Sequence, residues 1–304
     1  MKKTIIWLVI IVIILLGGYF VLQNLFGTTN TTPKTSDETD TTVATTTPQT
    51  TTQEENKPTT VIGTSVEGRD IIAYHFGTGD KEILFVAGLH GGYEWNTSLV
   101  AYQLVDYLKQ NPSAVPAGEK VTVIPAANPD GLYTVTGKEG IFTSADVTAS
   151  QSTQISGRYN ADSIDLNRNF DCDWQPTGKW QDTTVNAGSE PFSEPESAAI
   201  RDYVDAHTPT AAVVWYSAAG GVFASSCHNG VLSETTTLTN LFADASGYKA
   251  YETFDFYQIT GDMVNWLAKN RIPAISVLLT NHIDTEWTKN IVGVTAILNR
   301  YATE

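Results

Sequence analysis

The stretch from Gly88 to Thr97 constrains the fold of this chain more than any other part of the sequence. It follows Glu82 to Ala87, a short apolar run typical of a strand that is buried on both faces. Asn96 is predicted to cap a helix that ends at Asn111-Pro112, and the apolar residues of this helix recur at helical spacing: Leu99, Leu104, Val105 and Leu108. A buried strand, a glycine-rich turn and a helix in that order indicate an α/β fold.

His90 and Glu94 lie on this turn, at the carboxyl end of the strand, where ligands usually bind in α/β sheets. A neutral imidazole and a carboxylate held close together are two of the ligand types that zinc takes in proteins. The alternative is that both are ordinary polar residues of a glycine-rich loop. This stretch alone leaves both interpretations open.

Residues 1–27 are predicted to form a membrane anchor. Ile5 to Leu22 is an almost unbroken apolar run without charge, long enough to cross the ~30 Å hydrocarbon core as a helix. A signal peptide is the alternative, but Tyr19 to Asn24 does not resemble a small-residue cleavage site, so we favour an uncleaved anchor. Lys2 and Lys3 predict a cytoplasmic N-terminus, which makes the protein single-pass in the cell membrane with an extracellular C-terminal domain.

Residues 28–60 are predicted to form a disordered linker. They are rich in threonine and carry hardly an apolar side chain, so they cannot bury enough surface to offset the entropy of ordering. Residues 61–304 have an ordinary globular composition and are predicted to form one domain. The net charge of −15 argues against nucleic acid as a partner and against electrostatic binding to anionic lipid.

Strands and helices alternate through this domain, which indicates a layered α/β fold with buried strands. The predicted strands are Ile71 to Phe76, Ile83 to Ala87, Val121 to Ala126, Ala211 to Tyr216 and Ala274 to Leu279. Asn128 to Gly131 is predicted to be a turn. Ser193 is predicted to cap a helix with Pro195 in its first turn, and further helices are predicted at Leu238 to Ala245, Asp262 to Lys269 and Trp287 to Tyr301.

Cys172 and Cys227 are the only cysteines of the chain. Both fall in the part that is predicted to be extracellular, where an even pair indicates a disulfide. Closing a loop of this length would stabilise the fold by ~4 kcal/mol in the chain-entropy model. Two unpaired buried thiols are the alternative.

Polar motifs follow one another in a fixed order along the domain. Two arginines and an asparagine between Gly157 and Asp171 suggest recognition of a carboxylate, because a guanidinium group can hold both of its oxygens. A surface ion-pair cluster is the alternative. The ordered motifs are Leu89-His90 with Glu94-Trp95, Asn128 to Gly131, Arg158, Asp165 to Asp171, Gly188 to Glu194, and Tyr257 to Gly261 with Trp266. In these motifs residues 61–304 closely resemble the zinc carboxypeptidases of the carboxypeptidase A type, the funnelins.

The resemblance implies a three-layer α/β/α fold with a mixed, largely buried central sheet, and it implies a metal site. His90 and Glu94 would be ligands of one zinc ion, and Arg158 would be catalytic by polarising the scissile carbonyl group. In such enzymes a zinc-bound water attacks the last peptide bond, and a nearby glutamate removes its proton.

The resemblance also implies a substrate site. Asn167, Arg168 and Tyr257 would hold the terminal carboxylate of a peptide. Val264 matches the residue at the foot of the pocket for the terminal side chain, and an apolar residue there favours an apolar C-terminal residue.

Three positions depart from the pattern of the family. The family usually spaces its first two ligands as His-x-x-Glu, whereas one extra residue separates His90 from Glu94, and the intervening glycines can absorb it. Tyr216 stands where the third zinc ligand, a histidine, is expected, and a phenol with a pKa near ~10 is a poor zinc ligand at neutral pH. Leu278 stands where the glutamate base is expected, and leucine cannot take a proton.

Four residues near these positions could compensate for the two losses, although each also has an ordinary structural interpretation, such as a hydrogen-bonded loop residue or a first-turn helix acid. They are His228, His282, Asp284 and Glu286.

The sequence therefore supports two functions. The first is a membrane-anchored extracellular metallocarboxypeptidase that acts on peptides or on peptidoglycan stem peptides, with weak or absent activity because Tyr216 and Leu278 replace a ligand and the base. The second is a non-catalytic protein that binds peptide C-termini through Arg158, Asn167, Arg168 and Tyr257. Whether the chain is an enzyme depends on the geometry of the site.

We expect the native protein to stay in the membrane fraction, because Ile5 to Leu22 is uncharged and lacks a cleavage site. Protease added outside the cell should release a soluble body by cutting within residues 28–60. Membrane fractionation and N-terminal sequencing test this expectation. A mature N-terminus beyond Leu22 would contradict it.

Overall fold

The computed structural model describes residues 57–302, and an eight-stranded mixed sheet forms the centre of this part of the chain. The strands of this sheet are β1 (Thr59–Thr64), β2 (Asp70–Gly77), β3 (Lys81–Val86), β4 (Glu119–Ile124), β7 (Ala211–Ser217), β8 (Gly221–Ala224), β9 (Lys249–Tyr251) and β10 (Ala274–Leu279). A separate hairpin consists of β5 (Thr177–Trp180) and β6 (Thr183–Asn186). The α-helices are α1 (Trp95–Gln110), α2 (Pro129–Thr136), α3 (Gln151–Ser156), α4 (Pro195–His207), α5 (Ser233–Ser246), α6 (Met263–Lys269) and α7 (Trp287–Ala302).

The sheet has the strand order β1-β2-β4-β3-β7-β10-β8-β9. The four strands from β4 to β10 in this order run parallel, while β1–β2, β2–β4 and β10–β8 pair antiparallel. The α/β fold with a mixed central sheet is confirmed. Because β3, β7 and β10 are parallel, their carboxyl ends lie at the same edge of the sheet, and residues that follow them lie close together.

Both faces of the sheet are covered, which explains the continuous apolar runs of its central strands. On β3, Ile83 and Phe85 pack in one core with α1, α5 and α7, whereas Leu84 and Val86 pack in a second core with α4 and α6. The helices therefore form a layer on either side of the sheet.

The predicted anchor, Ile5 to Leu22, lies outside the described residues, as does the predicted linker up to residue 56. Within residues 57–302, no helix combines the length and the apolar character needed to cross a membrane. Strand β1 begins at Thr59, inside the segment that the sequence assigns to the linker, and pairs there with Tyr74 of β2. Threonine is β-branched and suits a strand.

Two predicted helix caps are wrong by one or two residues. Helix α1 already begins at Trp95, and Asn96 is a buried residue of its first turn that donates hydrogen bonds to the carbonyl groups of Asn281 and Asp284. Pro195 is the first residue of α4 as predicted, but Glu194 occupies the cap position. The side chains of these polar residues find partners in distant loops, which sequence patterns do not reveal.

The predicted turn at Asn128 to Gly131 is the beginning of helix α2. The Asn128 side chain accepts a hydrogen bond of 2.9 Å from the backbone N–H of Gly131, and Pro129 opens the helix. Both are helix-start features as well as turn features, because an amide oxygen satisfies a free backbone N–H in either structure.

Candidate active site

Two adjoining cavities bring together all nine residues to which the sequence assigns a catalytic, metal-binding or substrate-binding position. The first, which we call the clamp cavity, has a volume of about 140 Å³, and its walls include His90, Glu94, Asn167, Arg168, Tyr216, Tyr257, Val264 and Leu278. The second, which we call the aromatic cavity, has a volume of about 360 Å³, and its walls include Arg158, Tyr93, Trp180, Phe256 and His282. Glu94, Tyr257 and Leu278 line both cavities.

His90 and Glu94 lie at the two ends of a short 3₁₀ turn that follows β3. Nδ1 of His90 is 2.9 Å from Oε1 of Glu94, and both side chains are buried. Gly91 has φ +43°, and a Cβ atom there would lie 2.5 Å from the carbonyl oxygen of Gly157. Glycine therefore lets this turn hold the extra residue between His90 and Glu94.

Arg158 and Asp165 form a buried ion pair beside His90. Nε and Nη2 of Arg158 donate to Oδ2 of Asp165 at 3.1 and 2.8 Å, and the two residues are 1% and 0% exposed. Burial alone would raise the pKa of Asp165, but the charge of Arg158 and the interactions with His90 outweigh burial and hold that pKa well below its usual range. Asp165 is therefore a permanent anion at neutral pH.

The same ion pair contacts the second ring nitrogen of His90. Nε2 of His90 lies 2.8 Å from Nη2 of Arg158 and 3.4 Å from Oδ1 of Asp165. If Nε2 donates to Asp165, Nδ1 is left as a free acceptor that faces Glu94, as a metal ligand requires. If Nε2 accepts from Arg158, Nδ1 carries the proton and interacts with the Glu94 carboxylate directly, so this tautomer requires no metal between the two side chains.

Asn167, Arg168 and Tyr257, which are predicted to hold the terminal carboxylate of a peptide, are called the carboxylate clamp below, and Tyr216 is oriented towards Asn167. Its hydroxyl group donates a 3.0 Å hydrogen bond to Oδ1 of Asn167. Burial, followed by the nearby carboxylates of Asp262 and Glu94, raises the pKa of Tyr216 well above 10. The phenol therefore stays protonated and serves as a hydrogen-bond donor.

Residues 57–302 contain no third His, Cys, Asp or Glu that joins His90 and Glu94 at metal-ligand spacing. Nδ1 of His90 and Oε2 of Glu94 are buried and form no hydrogen bond of good geometry in this part of the chain, although Nδ1 lies 2.9 Å from Oε1 of Glu94; both are suitable metal donors when Nδ1 is unprotonated. A catalytic zinc site, however, takes three protein ligands. The residues present thus fit two of the three positions and do not complete the site.

Three of the four possible substitutes are engaged elsewhere. His228 is exposed and pairs with Asp173 at 3.0 Å. The Asp284 carboxylate accepts a hydrogen bond from Asn281 at 2.8 Å. Glu286 accepts hydrogen bonds from Tyr248 and from the backbone of Thr280. Burial would raise the pKa of Glu286, but these hydrogen bonds and that of Lys289 outweigh burial and lower the pKa to about 2.

His282 is the substitute that reaches the site. It lines the aromatic cavity together with Glu94 and Leu278, and its Nδ1 lies 3.1 Å from the hydroxyl oxygen of Ser217. Burial lowers the pKa of His282 below its usual value; the charge of Glu94 opposes this effect and the charge of Arg158 adds to it.

Leu278 places an apolar side chain where a proton acceptor would be needed. It is directly opposite Tyr216 in the parallel pairing of β7 and β10, and it lines both cavities. The two substituted positions are therefore neighbours on one face of the sheet.

The carboxylate clamp keeps free donors. Oδ1 of Asn167 accepts from Tyr216 and from the backbone N–H of Met263, which fixes the amide and leaves Nδ2 as a donor. Arg168 donates to the carbonyl groups of Lys179 and Asn167, yet each terminal nitrogen of its guanidinium group carries a second hydrogen. The Tyr257 ring lies 5.9 Å from the Arg168 guanidinium, and its hydroxyl group has no hydrogen bond within residues 57–302.

Cys172 and Cys227 form a disulfide, with Cα atoms 6.3 Å apart. The bond joins the segment that follows the clamp arginine to the loop after β8, next to Ser226 in the wall of the clamp cavity. It therefore links two walls of the site.

Sequence reasoning assigned no role to Asp165, Trp180 or Asp262. Asp165 is the first residue of the Asp-Leu-Asn-Arg motif, and this position could have indicated a role in the site. Trp180 lies 4.5 Å above the Arg158 guanidinium from the β5–β6 hairpin, and nothing in the sequence places this hairpin over the site. Asp262 lines the clamp cavity and directly precedes α6. The only indication of this in the sequence is that Asp262 follows the motif that ends at Gly261.

Comparison with known proteins identifies the family of this chain. The model of a family described as zinc carboxypeptidase, Peptidase_M14, matches residues 48–281. Carboxypeptidase Z of Rattus norvegicus is 32% identical over 125 residues, which are 37% of this chain and 18% of that protein. Carboxypeptidase B of Astacus astacus is 29% identical over 150 residues, 47% of this chain and 48% of that protein. The match thus spans less than half the length of these curated relatives.

A crystal structure has a similar fold over most of this chain. The murein-tripeptide amidase MpaA from Escherichia coli O157 superposes with a TM-score of 0.58 at 21% identity, over 83% of this chain and 96% of that one. At 21% identity, this similarity shows a shared fold.

We expect Tyr216→His combined with Leu278→Glu to create chelator-sensitive release of a C-terminal residue, at least 10²-fold above the unmodified protein. The pair supplies a third ligand and a base. Leu278 is a buried residue of a hydrophobic core, but it also lines both cavities, so a carboxylate at this position borders them as well as the core. Each single change should do little, because the groups act as one unit.

The measurement is release of the terminal amino acid from a blocked peptide, with and without chelator. Tyr216→His with Leu278→Gln is the matched control, since it keeps the size of the side chain and lacks the base. Robust chelator-sensitive release by the unmodified protein would show that another residue supplies the missing ligand or base, and His282 is the first candidate.

Proposed function

This chain belongs to the zinc carboxypeptidase family, and from the geometry of its site we propose that it binds the C-terminal ends of peptides without hydrolysing them. The observation that carries the proposal is the Tyr216 hydroxyl, which donates to Asn167 of the clamp. The residue that replaces a zinc ligand thereby supports carboxylate binding. The same substitution removes a requirement of catalysis and strengthens a requirement of recognition.

The clamp supports binding through charge and geometry. Arg168 lines the clamp cavity at 1% exposure, where its interaction with an anion is little screened by water. Nδ2 of Asn167 and the Tyr257 hydroxyl add neutral donors. A guanidinium group with two flanking donors is suited to both oxygens of a terminal carboxylate.

Two departures argue against turnover. Tyr216 is protonated and points at Asn167, and Leu278 offers no acceptor for a proton. Loss of a general base alone typically costs ~10²- to 10⁴-fold in rate. Affinity for the ground state remains, because the carboxylate of a bound peptide is held in the same way with or without chemistry.

A metal-dependent hydrolase is the second candidate, and one observation favours it. Nδ1 of His90 and Oε2 of Glu94 are buried without hydrogen-bond partners, and a cation between these side chains would satisfy both. His282 in the adjoining cavity, whose pKa is lowered by burial, is the available further ligand.

We further propose that the protein acts at the outer surface of the cell membrane, on extracellular peptides or on peptidoglycan stem peptides. The uncharged run Ile5 to Leu22 supports anchoring, and the threonine-rich segment after it supports a tether. The amidase whose fold is similar acts on a murein tripeptide, as its name states, which supports the peptidoglycan source.

We expect the full-length protein to bind a blocked tripeptide with a free C-terminal carboxylate at least about 10-fold more tightly than the same peptide amide, since charge-assisted hydrogen bonds contribute about 1.5–3 kcal/mol. Tyr257→Phe should weaken binding of the carboxylate by about 5-fold, the equivalent of one neutral hydrogen bond of about 1 kcal/mol. Titration calorimetry measures both effects.

Tyr133→Phe is the matched control, because it removes a hydroxyl group from an exposed ring on α2 that lines neither cavity. Mass spectrometry should recover the peptide intact after prolonged incubation. Equal binding of acid and amide would contradict the clamp, and chelator-sensitive cleavage would support the second candidate.

A further inference from the structure

His282 is held on one side by a chain of hydrogen bonds that begins at Asn96. Nδ2 of Asn96 donates to the carbonyl groups of Asn281 and Asp284 at 2.7 and 3.0 Å, which fixes the orientation of the amide. Oδ1 of Asn96 is therefore the atom that faces Ser217, and it accepts a hydrogen bond of 3.1 Å from the Ser217 hydroxyl group. This hydrogen bond uses the single hydroxyl proton of Ser217.

The same chain of hydrogen bonds determines the tautomer of His282. Nδ1 of His282 lies 3.1 Å from the hydroxyl oxygen of Ser217. Because the Ser217 proton points to Asn96, the oxygen can only accept from His282, and Nδ1 must carry a proton. In the neutral ring the other nitrogen, Nε2, is then an unprotonated acceptor. Burial lowers the pKa of His282, which favours this neutral form.

Nε2 of His282 has no hydrogen bond within residues 57–302, and the ring lines the aromatic cavity. The Tyr93 ring packs against it, with the two ring centroids 4.5 Å apart. The Arg158 guanidinium lies 5.7 Å from the centroid of the same Tyr93 ring and lines the same cavity. A guanidinium group can only donate, so this cavity places a neutral acceptor and a donor near one tyrosine ring.

The aromatic cavity continues from the clamp cavity, since Glu94, Tyr257 and Leu278 line both. A peptide whose terminal carboxylate is held in the clamp cavity therefore extends its preceding residues into the aromatic cavity. Each peptide residue other than proline offers one backbone N–H and one carbonyl group, and these groups need partners when they are buried. The acceptor of His282 and the donors of Arg158 are complementary to such a pair.

We propose that His282 is a specificity-determining residue of the aromatic cavity, where its Nε2 accepts a hydrogen bond from the backbone N–H of the residue before the terminal one. The carbonyl group of that residue then lies near Arg158. This inference rests on the proposed binding function and names its ligand class, which is peptides with an unsubstituted amide at that position. Esters, N-alkylated peptides and peptides with proline there lack the donor and are disfavoured.

The test compares two blocked tripeptides with free carboxylates that differ only in the bond between the first and second residues, an amide in one and an ester in the other. The ester lacks the N–H and has a similar length. We expect the full-length protein to bind the amide peptide at least about 5-fold more tightly, the effect of one neutral hydrogen bond. His282→Phe should reduce this ratio to less than about 2-fold, because phenylalanine keeps a ring beside Tyr93 and lacks the acceptor.

His207→Phe is the matched control, because His207 also stacks on a tyrosine ring, that of Tyr203, and lines neither cavity. It should keep the full preference for the amide peptide. Nitrogen-15 NMR of the unmodified protein with labelled histidine reads the tautomer directly. It should show Nδ1 of His282 protonated and Nε2 unprotonated, and the amide peptide should shift the Nε2 signal more than the ester does. This measurement decides the matter even if His282→Phe fails to fold.

The outcomes separate this inference from the binding function. A proton on Nε2, equal binding of the amide and ester peptides, or a preference that persists in His282→Phe would overturn the role of His282 and leave the clamp standing. Absence of binding by both peptides would overturn the proposed function and this inference with it.

Discussion

The buried ion pair between Arg158 and Asp165 is the interaction on which the site depends. Asp165 opens the turn that carries the clamp residues Asn167 and Arg168, and Arg158 contacts both His90 and, at 3.9 Å, Glu94. Two charges at 1% and 0% exposure stabilise each other only as a pair, and removal of one typically costs 3–5 kcal/mol. This pair therefore fixes the turn from His90 to Glu94 against the segment of Asn167 and Arg168.

On this frame, the site holds the residues predicted to bind a carboxylate and has other residues at two predicted catalytic positions. Tyr216 and Leu278 are opposite each other on β7 and β10, so the two losses fall at one place in the sheet. The phenol finds its partner in Asn167, and the leucine extends the apolar wall of both cavities. The binding function that we propose follows from this arrangement, because donors for a carboxylate without a base or a complete ligand set suit binding rather than transition-state stabilisation.

Much of the fold could be predicted because its central strands are buried on both faces and therefore read as continuous apolar runs, as in β3, β7 and β10. Short strands such as β8 and the β5–β6 hairpin carry no such signal. The residues of the clamp came from ordered motifs, and the structure places them in one cavity. Asp262 and Trp180 could not be assigned from the sequence, because the packing of loops brings them to the site. His228 and Glu286 do not take part in the site because they pair with Asp173 and Tyr248, and the sequence does not reveal these contacts.

The most direct test of the account is the zinc content of the purified full-length protein after dialysis against zinc-free buffer, measured by elemental analysis. A complete three-ligand site retains one ion per chain, whereas two ligands hold metal poorly. The account predicts a well-folded protein that retains clearly less than one zinc per chain and still binds peptide carboxylates. One zinc per chain that survives dialysis and is lost on His90→Ala would contradict it.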